Sequence, residues 1–350
     1  MTLAELRRHV GDLSQLVSTR EIRLSDGNED GVRAIDARAT GGLSALILAD
    51  RGLDLGPVWA AGQQVSWQST TGAVHPSHYG EDTWLRSFHG GMLVTCGLQN
   101  VGPSADDEGV HHGIHGRISN IPARNVSHRV IEEGGRLAAE ISGEVRETDV
   151  YGSDLLLRRR IVMPMGETAI EIHDEVENQG YTDAVLMILY HVNAGYPVVS
   201  ERSTLLAPPA SVEPRDDAAG AGIADHARFV PPQDGFEQQV FEHVLADPAA
   251  DRATISIANP DHEPTGGISL SVTFDPSQLS RLWQWRMLGP GMYLTGLEPA
   301  NCGILGRAEE RERGSLETIA PGEKRAFDVN IRVGLGSDVS ALIESARGGV

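Results

Sequence analysis

The 350-residue chain carries 29 basic against 49 acidic side chains, a net charge of −20, and Lys324 is its only lysine. Such an acidic surface repels phosphate backbones and anionic lipid headgroups, which argues against nucleic-acid or membrane partners and for a neutral small molecule. Cys96 and Cys302 are too few for a disulfide framework, and no run approaches a membrane span.

The N-terminal MTLAELRRHVGDL lacks the apolar core and cleavage site of a signal peptide, so a cytoplasmic protein is expected. Leu3, Leu6, Val10, Leu13 and Leu16 recur at three- and four-residue steps, and Thr2 with Glu5 makes a capping box. This predicts an amphipathic helix over 2–17. Residues 1–19 then read as an appendage to a single β-sandwich domain over 20–350. The helix stripe must pack on that body or on a second copy, which leaves a homodimer open.

Beyond Arg20 the pattern changes to period two. Strands are predicted over Leu43–Asp50, Gly91–Gly97, Leu137–Arg146, Asp154–Met163 and Thr168–Asn178, with a turn in RGLDLG after the first of them. AVLMILYHV (Ala184–Val192) is apolar on both faces and reads as a central strand. Further strands are predicted over Gln238–Leu245, Ala253–Ala258, Ile268–Phe274, Arg281–Arg286, Met292–Glu298 and Ala326–Gly334. Gly, Pro and Asn turns separate them, and helix-period segments are missing between them. The expected fold is all-β, a large antiparallel sandwich, rather than a Rossmann fold or TIM barrel. Ala207–Gly235, rich in Pro, Ala, Asp and Gly, reads as a long loop, either a lid or a surface excursion.

Several residues are candidates for chemistry. HHGIHGR, His111 to Arg117, holds three histidines and one arginine in seven residues. Imidazole exchanges protons near neutral pH or binds metals. His111, His112 and His115 have the donors for a metal, but the spacing is not a zinc pattern and no HExxH is present. His191 falls where the most apolar strand is predicted to end, placed either to face a cleft or to sit in the core. Glu298 ends the MYLTGLE strand, where a buried carboxylate needs a partner such as Arg286 or Arg307, or serves as a base. Arg51, Arg86 and Arg117 are candidate clamps for hydroxyls or carboxylates. Trp59, Trp67, Trp84, Trp283 and Trp285 suit either core packing or stacking on sugar rings. Cys96 and Cys302 read as small packing residues. No phosphate loop, GxGxxG or GxSxG occurs.

Three segments together resemble the galactose mutarotase superfamily, the aldose 1-epimerase-like proteins. They are HGIHGRISNIP, DEVENQGYTDAVLMILYHVNAGYP and YLTGLEP, in that order along the chain. GGMLVTCGLQNVG, HGRISNIPA and GLEPAN look more closely like a bacterial subgroup described only as a domain of unknown function. The resemblance spans about Arg51 to Gly334. It implies a β-supersandwich and a proton-shuttling enzyme of carbohydrate metabolism that needs no metal or organic cofactor. Carried over, Glu298 is the general base at the anomeric hydroxyl, His191 the general acid at the ring oxygen, and His115 a stabilising hydrogen-bond partner. Arg51 or Arg86 matches the family's binding arginine, with His89, Arg117, Asn193 and Arg286 as further candidate sugar contacts. The family's auxiliary Asp has no clear match, Asp234 and Glu237 being the nearest choices. HVNAGYP replaces the family's Tyr-Phe-Asn run. A metal-dependent sugar isomerase or lyase and a non-catalytic carbohydrate-binding protein are the competing readings.

Overall fold

The computed structural model describes residues 3–80, 83–207 and 209–348. Two antiparallel sheets carry the chain. The larger, 11-stranded sheet begins Val17–Arg23, Arg33–Ala39, Leu43–Leu48, Asp54–Ala60, Leu93–Leu98. It continues Met187–Gly195, Met292–Ala300, Arg281–Gly289, Gln239–Leu245, Pro209–Pro214, with Gln63–Gln64 beside Asp54–Ala60. The 8-stranded sheet runs Arg124–Glu133, Arg136–Thr148, Asp154–Pro164, Ala169–Asn178, Lys324–Leu335, Ile268–Phe274, Ala253–Asn259, Thr204–Leu206.

Alternation explains how the sheets meet. Ile188, Tyr190, Val192 and Ala194 join one hydrophobic core with Ile141, Ile161, Ile172 and Val329 of the smaller sheet. Burial of each large aliphatic side chain contributes roughly 1.5–3 kcal/mol. Met187 and Leu189, on the other face of the same strand, join a second cluster with Trp84, Phe88, Val94 and Trp283. The strand is therefore buried on both faces, as its apolar run demands. Chain segments carrying Trp67, Trp84 and Phe88 roof that outer face.

Charges also cross the sandwich. Fully buried Arg159 donates to Asp174 and to Asp54 Oδ1, the latter at 2.7 Å, while Tyr190 Oη donates to Asp174 Oδ2 at 2.6 Å. Tyr190 thereby ties the central strand of the larger sheet to the smaller one.

The all-β expectation holds, but four expectations about local structure are corrected. The helix expected over 2–17 is a single turn, Leu3–Leu6, and Val17 opens a strand. Gly11 is poor in helix interiors, and Asp12 caps a short 3-10 turn by accepting from Ser14 N at 2.7 Å. The capping-box Thr2 lies outside the described residues. Strands Met187–Gly195 and Met292–Ala300 run past His191 and Glu298, so both residues sit within strands rather than at strand ends. Ala207–Gly235 is not a bare loop, because it supplies the edge strand Pro209–Pro214, the helix Asp217–Gly222 and a 3-10 turn. Val17–Arg23, Arg33–Ala39, Asp54–Ala60 and Arg124–Glu133 were not expected. The first and last are sheet edges with polar outward positions, and the third contains Gly56 and Pro57, which read as turn residues. No helix among the described residues is long and apolar enough to cross a membrane.

Candidate active site

Two adjacent strands of the larger sheet bring a histidine and a glutamate together. The register pairs Leu189 with Ala300 and Val192 with Leu297, which sets His191 opposite Glu298. Both face the outer cluster, away from the inter-sheet core. His191 Nε2 lies 3.2 Å from Glu298 Oε1, and the residues are only 5% and 4% exposed. Gly296 makes room for the carboxylate, since a Cβ there would overlap Glu298 Oε1.

Aromatic rings wall the pair. Phe88 and Trp285 each approach His191 edge-on, with ring centroids 5.3 Å away. Trp84 stacks on Phe88 at 4.7 Å and also lies 4.7 Å from His115. His115 in turn stands 6.1 Å from His191. The structure thus unites His115, His191 and Glu298, with Asn193 two residues along the same strand face.

Glycines place His115. The Gly97 amide donates to the His115 carbonyl at 2.9 Å, and Gly97 forms a parallel bridge with Gly116. A Cβ at either glycine would collide with facing backbone, and both have positive φ. His115 itself adopts φ 53°, an uncommon conformation for a residue other than glycine. Its Nδ1 accepts from the Gly102 amide at 3.3 Å. The neutral ring therefore carries its proton on Nε2 and is a donor.

Burial dominates the electrostatics. It pulls His191 down to about 4, opposed in small part by the neighbouring Asn193 side chain, whose Nδ2 donates to the His191 carbonyl at 3.0 Å. It pushes Glu298 up to about 8, opposed by the charge of Arg215. It holds His115 at about 3, helped by His191 and Arg215. At neutral pH the His191–Glu298 pair therefore holds one proton, resting on Glu298. His191 Nδ1, Asn193 Oδ1 and Trp285 Nε1 are buried polar atoms without a hydrogen-bond partner among the described residues, and Glu298 Oε1 has only the 3.2 Å approach of His191 Nε2, which is not aligned as a hydrogen bond. An unmet buried donor or acceptor costs about 1–3 kcal/mol. Such a gathering suits a ligand bearing several hydroxyls.

The other candidates lie elsewhere or are engaged. Arg51 is fully buried and donates to the carbonyls of Ser119, Val74 and Ser87 at 2.9, 2.9 and 2.8 Å, so it clips three loop segments together. His89 is fully buried, held neutral by burial and by the charge of Arg51. Arg86 is exposed on the short helix Trp84–Ser87. Arg117 pairs with Asp149 at 3.1 Å and Glu147 at 3.5 Å. Arg286 lies on the opposite face of its strand from Trp285, bonded to Gln239 at 2.6 Å and to the Arg228 carbonyl at 2.7 Å. His111 pairs with Asp106 at 2.8 Å on an exposed hairpin, and His112 is half-buried beside it. Among the described residues no group of three His, Cys, Asp or Glu side chains is arranged to hold a metal. Asp234 and Glu237 are exposed. Cys96 and Cys302 are buried thiols, raised by burial. Trp283 donates to the Cys302 carbonyl at 3.2 Å and Trp59 is half-buried.

Sequence reasoning missed Phe88, Gly296 and Arg215. Arg215 follows the edge strand Pro209–Pro214 and is held by Asp216 at 2.6 Å. Its setting in a Pro- and Ala-rich segment gave no periodic signal; only the register of the edge strand places it.

The family described as a domain of unknown function (DUF4432) matches residues 29–333. No curated protein matches the chain. A Klebsiella pneumoniae protein provisionally named an aldose 1-epimerase superposes with a TM-score of 0.87 at 23% identity, covering 99% of this chain and 90% of that one. A galactose mutarotase-like protein of Clostridium acetobutylicum gives 0.63 at 13% identity, covering 92% and 99%. A galactose 1-epimerase of Lactobacillus acidophilus gives 0.55 at 14%, covering 91% and 99%. These likenesses fix the fold as a galactose mutarotase-like β-sandwich.

Proposed function

The chain belongs to the DUF4432 family of unknown function, and from that premise we propose that it is a sugar 1-epimerase, interconverting the anomers of a hexose or hexose derivative by acid–base catalysis. The observation that carries this reading is the 3.2 Å approach of His191 Nε2 to Glu298 Oε1 beneath the rings of Phe88 and Trp285.

Anomer exchange needs one base and one acid on the two oxygens of the anomeric carbon. The Glu298 carboxylate takes the proton of the anomeric hydroxyl, and the O–H electron pair forms the carbonyl. The bond from the anomeric carbon to the ring oxygen breaks, and the His191 imidazolium protonates that oxygen. The aldehyde turns about its bond to the next carbon. The same transfers run in reverse and close the ring with the opposite configuration.

The pair enters with one proton in total, which is the number the cycle requires. Its resting place on Glu298 means that it must cross the short contact to His191 before ring opening. Arg215 favours that tautomer by stabilising the carboxylate. The His115 Nε2–H donates to the ring oxygen or a neighbouring hydroxyl as charge develops. With both partners so little exposed, the rings of Phe88 and Trp84 that cover the histidines must shift to admit a sugar.

The test is polarimetry on freshly dissolved single anomers of neutral hexoses and pentoses. At least one sugar should equilibrate at a rate proportional to protein concentration. No acceleration for any sugar contradicts the reading.

A further inference from the structure

Glu147 is a buried carboxylate that the acid–base cycle leaves unused. Leu137, Ala139, Ile141 and Val145 are inward residues of strand Arg136–Thr148 and belong to the inter-sheet core. Glu147 is the next inward position of the same alternation, and it is fully buried. A carboxylate among aliphatic neighbours is costly unless fixed partners meet it. Burial pushes it up to about 7, opposed by the charge of Arg117.

Both of its oxygens meet the segments that hold His115. Glu147 Oε2 accepts from the Leu98 amide at 2.8 Å. Leu98 follows Gly97, whose amide donates to the His115 carbonyl and which bridges Gly116. Glu147 Oε1 accepts from Arg117 Nε at 3.5 Å, two residues past His115. Arg117 Nη2 donates to Asp149 at 3.1 Å, so the end of one strand holds this guanidinium from two sides.

That hold answers a need of His115 itself. Its φ of 53° is a conformation that a residue other than glycine keeps only where its surroundings enforce it. Gly102 contacts both the ring Nδ1 and the backbone amide of His115, at 3.3 and 2.9 Å, but Gly102 lies outside the sheets. Leu98 belongs to strand Leu93–Leu98, which pairs with the His191 strand and sets Val94 opposite His191. A carboxylate that binds Leu98 and Arg117 together therefore ties the His115 turn to the strand beside the acid.

We propose that Glu147 is a positioning residue for anomer exchange, holding with Arg117 the turn that keeps the His115 ring 6.1 Å from that of His191. The part His115 plays in exchange rests on the 1-epimerase reading; the hold of Glu147 on its turn does not.

Two variants and two readings test it. Glu147→Gln keeps the size and an acceptor for the Leu98 amide but drops the charge that faces Arg117. Arg117→Met removes the same pairing from a partly exposed position. The readings are steady-state anomer exchange and the carbon–proton cross-peaks of the histidine rings in ligand-free protein. The His115 peak is identified by its loss in a His115→Asn protein. In each variant kcat should fall about tenfold with KM within about twofold, since a donor that acts on developing charge is misplaced. The His115 cross-peak should move while that of His243, on strand Gln239–Leu245, stays. An earlier unfolding midpoint with kcat and the His115 peak unchanged makes Glu147 purely structural and overturns the proposal. A moved peak with full kcat overturns it as well. If Glu147→Gln does not fold, Arg117→Met decides by the same readings. A moved peak in a protein that never accelerates anomer exchange keeps the hold on His115 and rejects the epimerase. Normal exchange with both readings unmoved does the reverse.

Discussion

Gly296 and Glu298 share one face of their strand, and the space that a side chain at 296 would fill is the space the Glu298 carboxylate occupies. Asn193 and Trp285 stand opposite Gly296 on the neighbouring strands, so the carboxylate cannot simply swing aside. Gly296→Ala should therefore fold, because the backbone there needs no special conformation, yet displace the reacting oxygen. Misplacement on the ångström scale costs about 10²-fold in rate. Anomer exchange followed in a variant of unchanged circular dichroism checks this, and an undiminished rate refutes it.

Proton count sets the pH dependence. The pair holds two protons below about 4, one between about 4 and about 8, and none above. Only the one-proton form can act as acid and base together, so kcat/KM should be bell-shaped with limbs near those values. Arg215 favours the Glu298 carboxylate, so removing its charge makes the pair keep its proton to higher pH. Arg215→Gln should move the alkaline limb upward and lower the rate at neutral pH. An alkaline limb that stays in place or moves downward counts against this role.

Tyr190 faces the sandwich interior while its neighbour His191 faces the site. Its hydroxyl donates to Asp174 beside fully buried Arg159. Tyr190→Phe keeps the ring packing but leaves one carboxylate lone pair unmet, which costs about 1–3 kcal/mol. Denaturant unfolding should show that loss as an earlier midpoint with an unchanged slope. An unaltered midpoint contradicts the argument that the hydroxyl bridges the two sheets.

Much of this was legible in the residues. The alternating strands from Leu137 to Asn178 and from Ala253 to Phe274 were read nearly to their ends, because period-two burial is local information. His115, His191 and Glu298 stood out because ionisable groups beside apolar runs are costly and the order of the motifs is distinctive. The edges were harder. Val17–Arg23 and Arg124–Glu133 face solvent along one side, so their sequences carry little hydrophobic contrast. Arg51 looked like a substrate clamp, yet three carbonyls brought together only by the folded loops claim its guanidinium. Arg215 was illegible for the opposite reason, since its neighbourhood with Glu298 and His115 exists only across the sheet. The helix expected over 2–17 does not form because Gly11 and the capping residue Asp12 interrupt its apolar spacing.

The claim at the centre is that Glu298 and His191 pass protons to and from one sugar. Glu298→Gln preserves the size of the side chain and removes its basicity. The decisive measurement is magnetisation-exchange NMR of anomer interconversion, with sugar binding followed in parallel by line broadening. The account predicts a rate lowered roughly 10²–10⁴-fold with binding retained. A Glu298→Gln protein that exchanges anomers as fast as the unaltered one would contradict it.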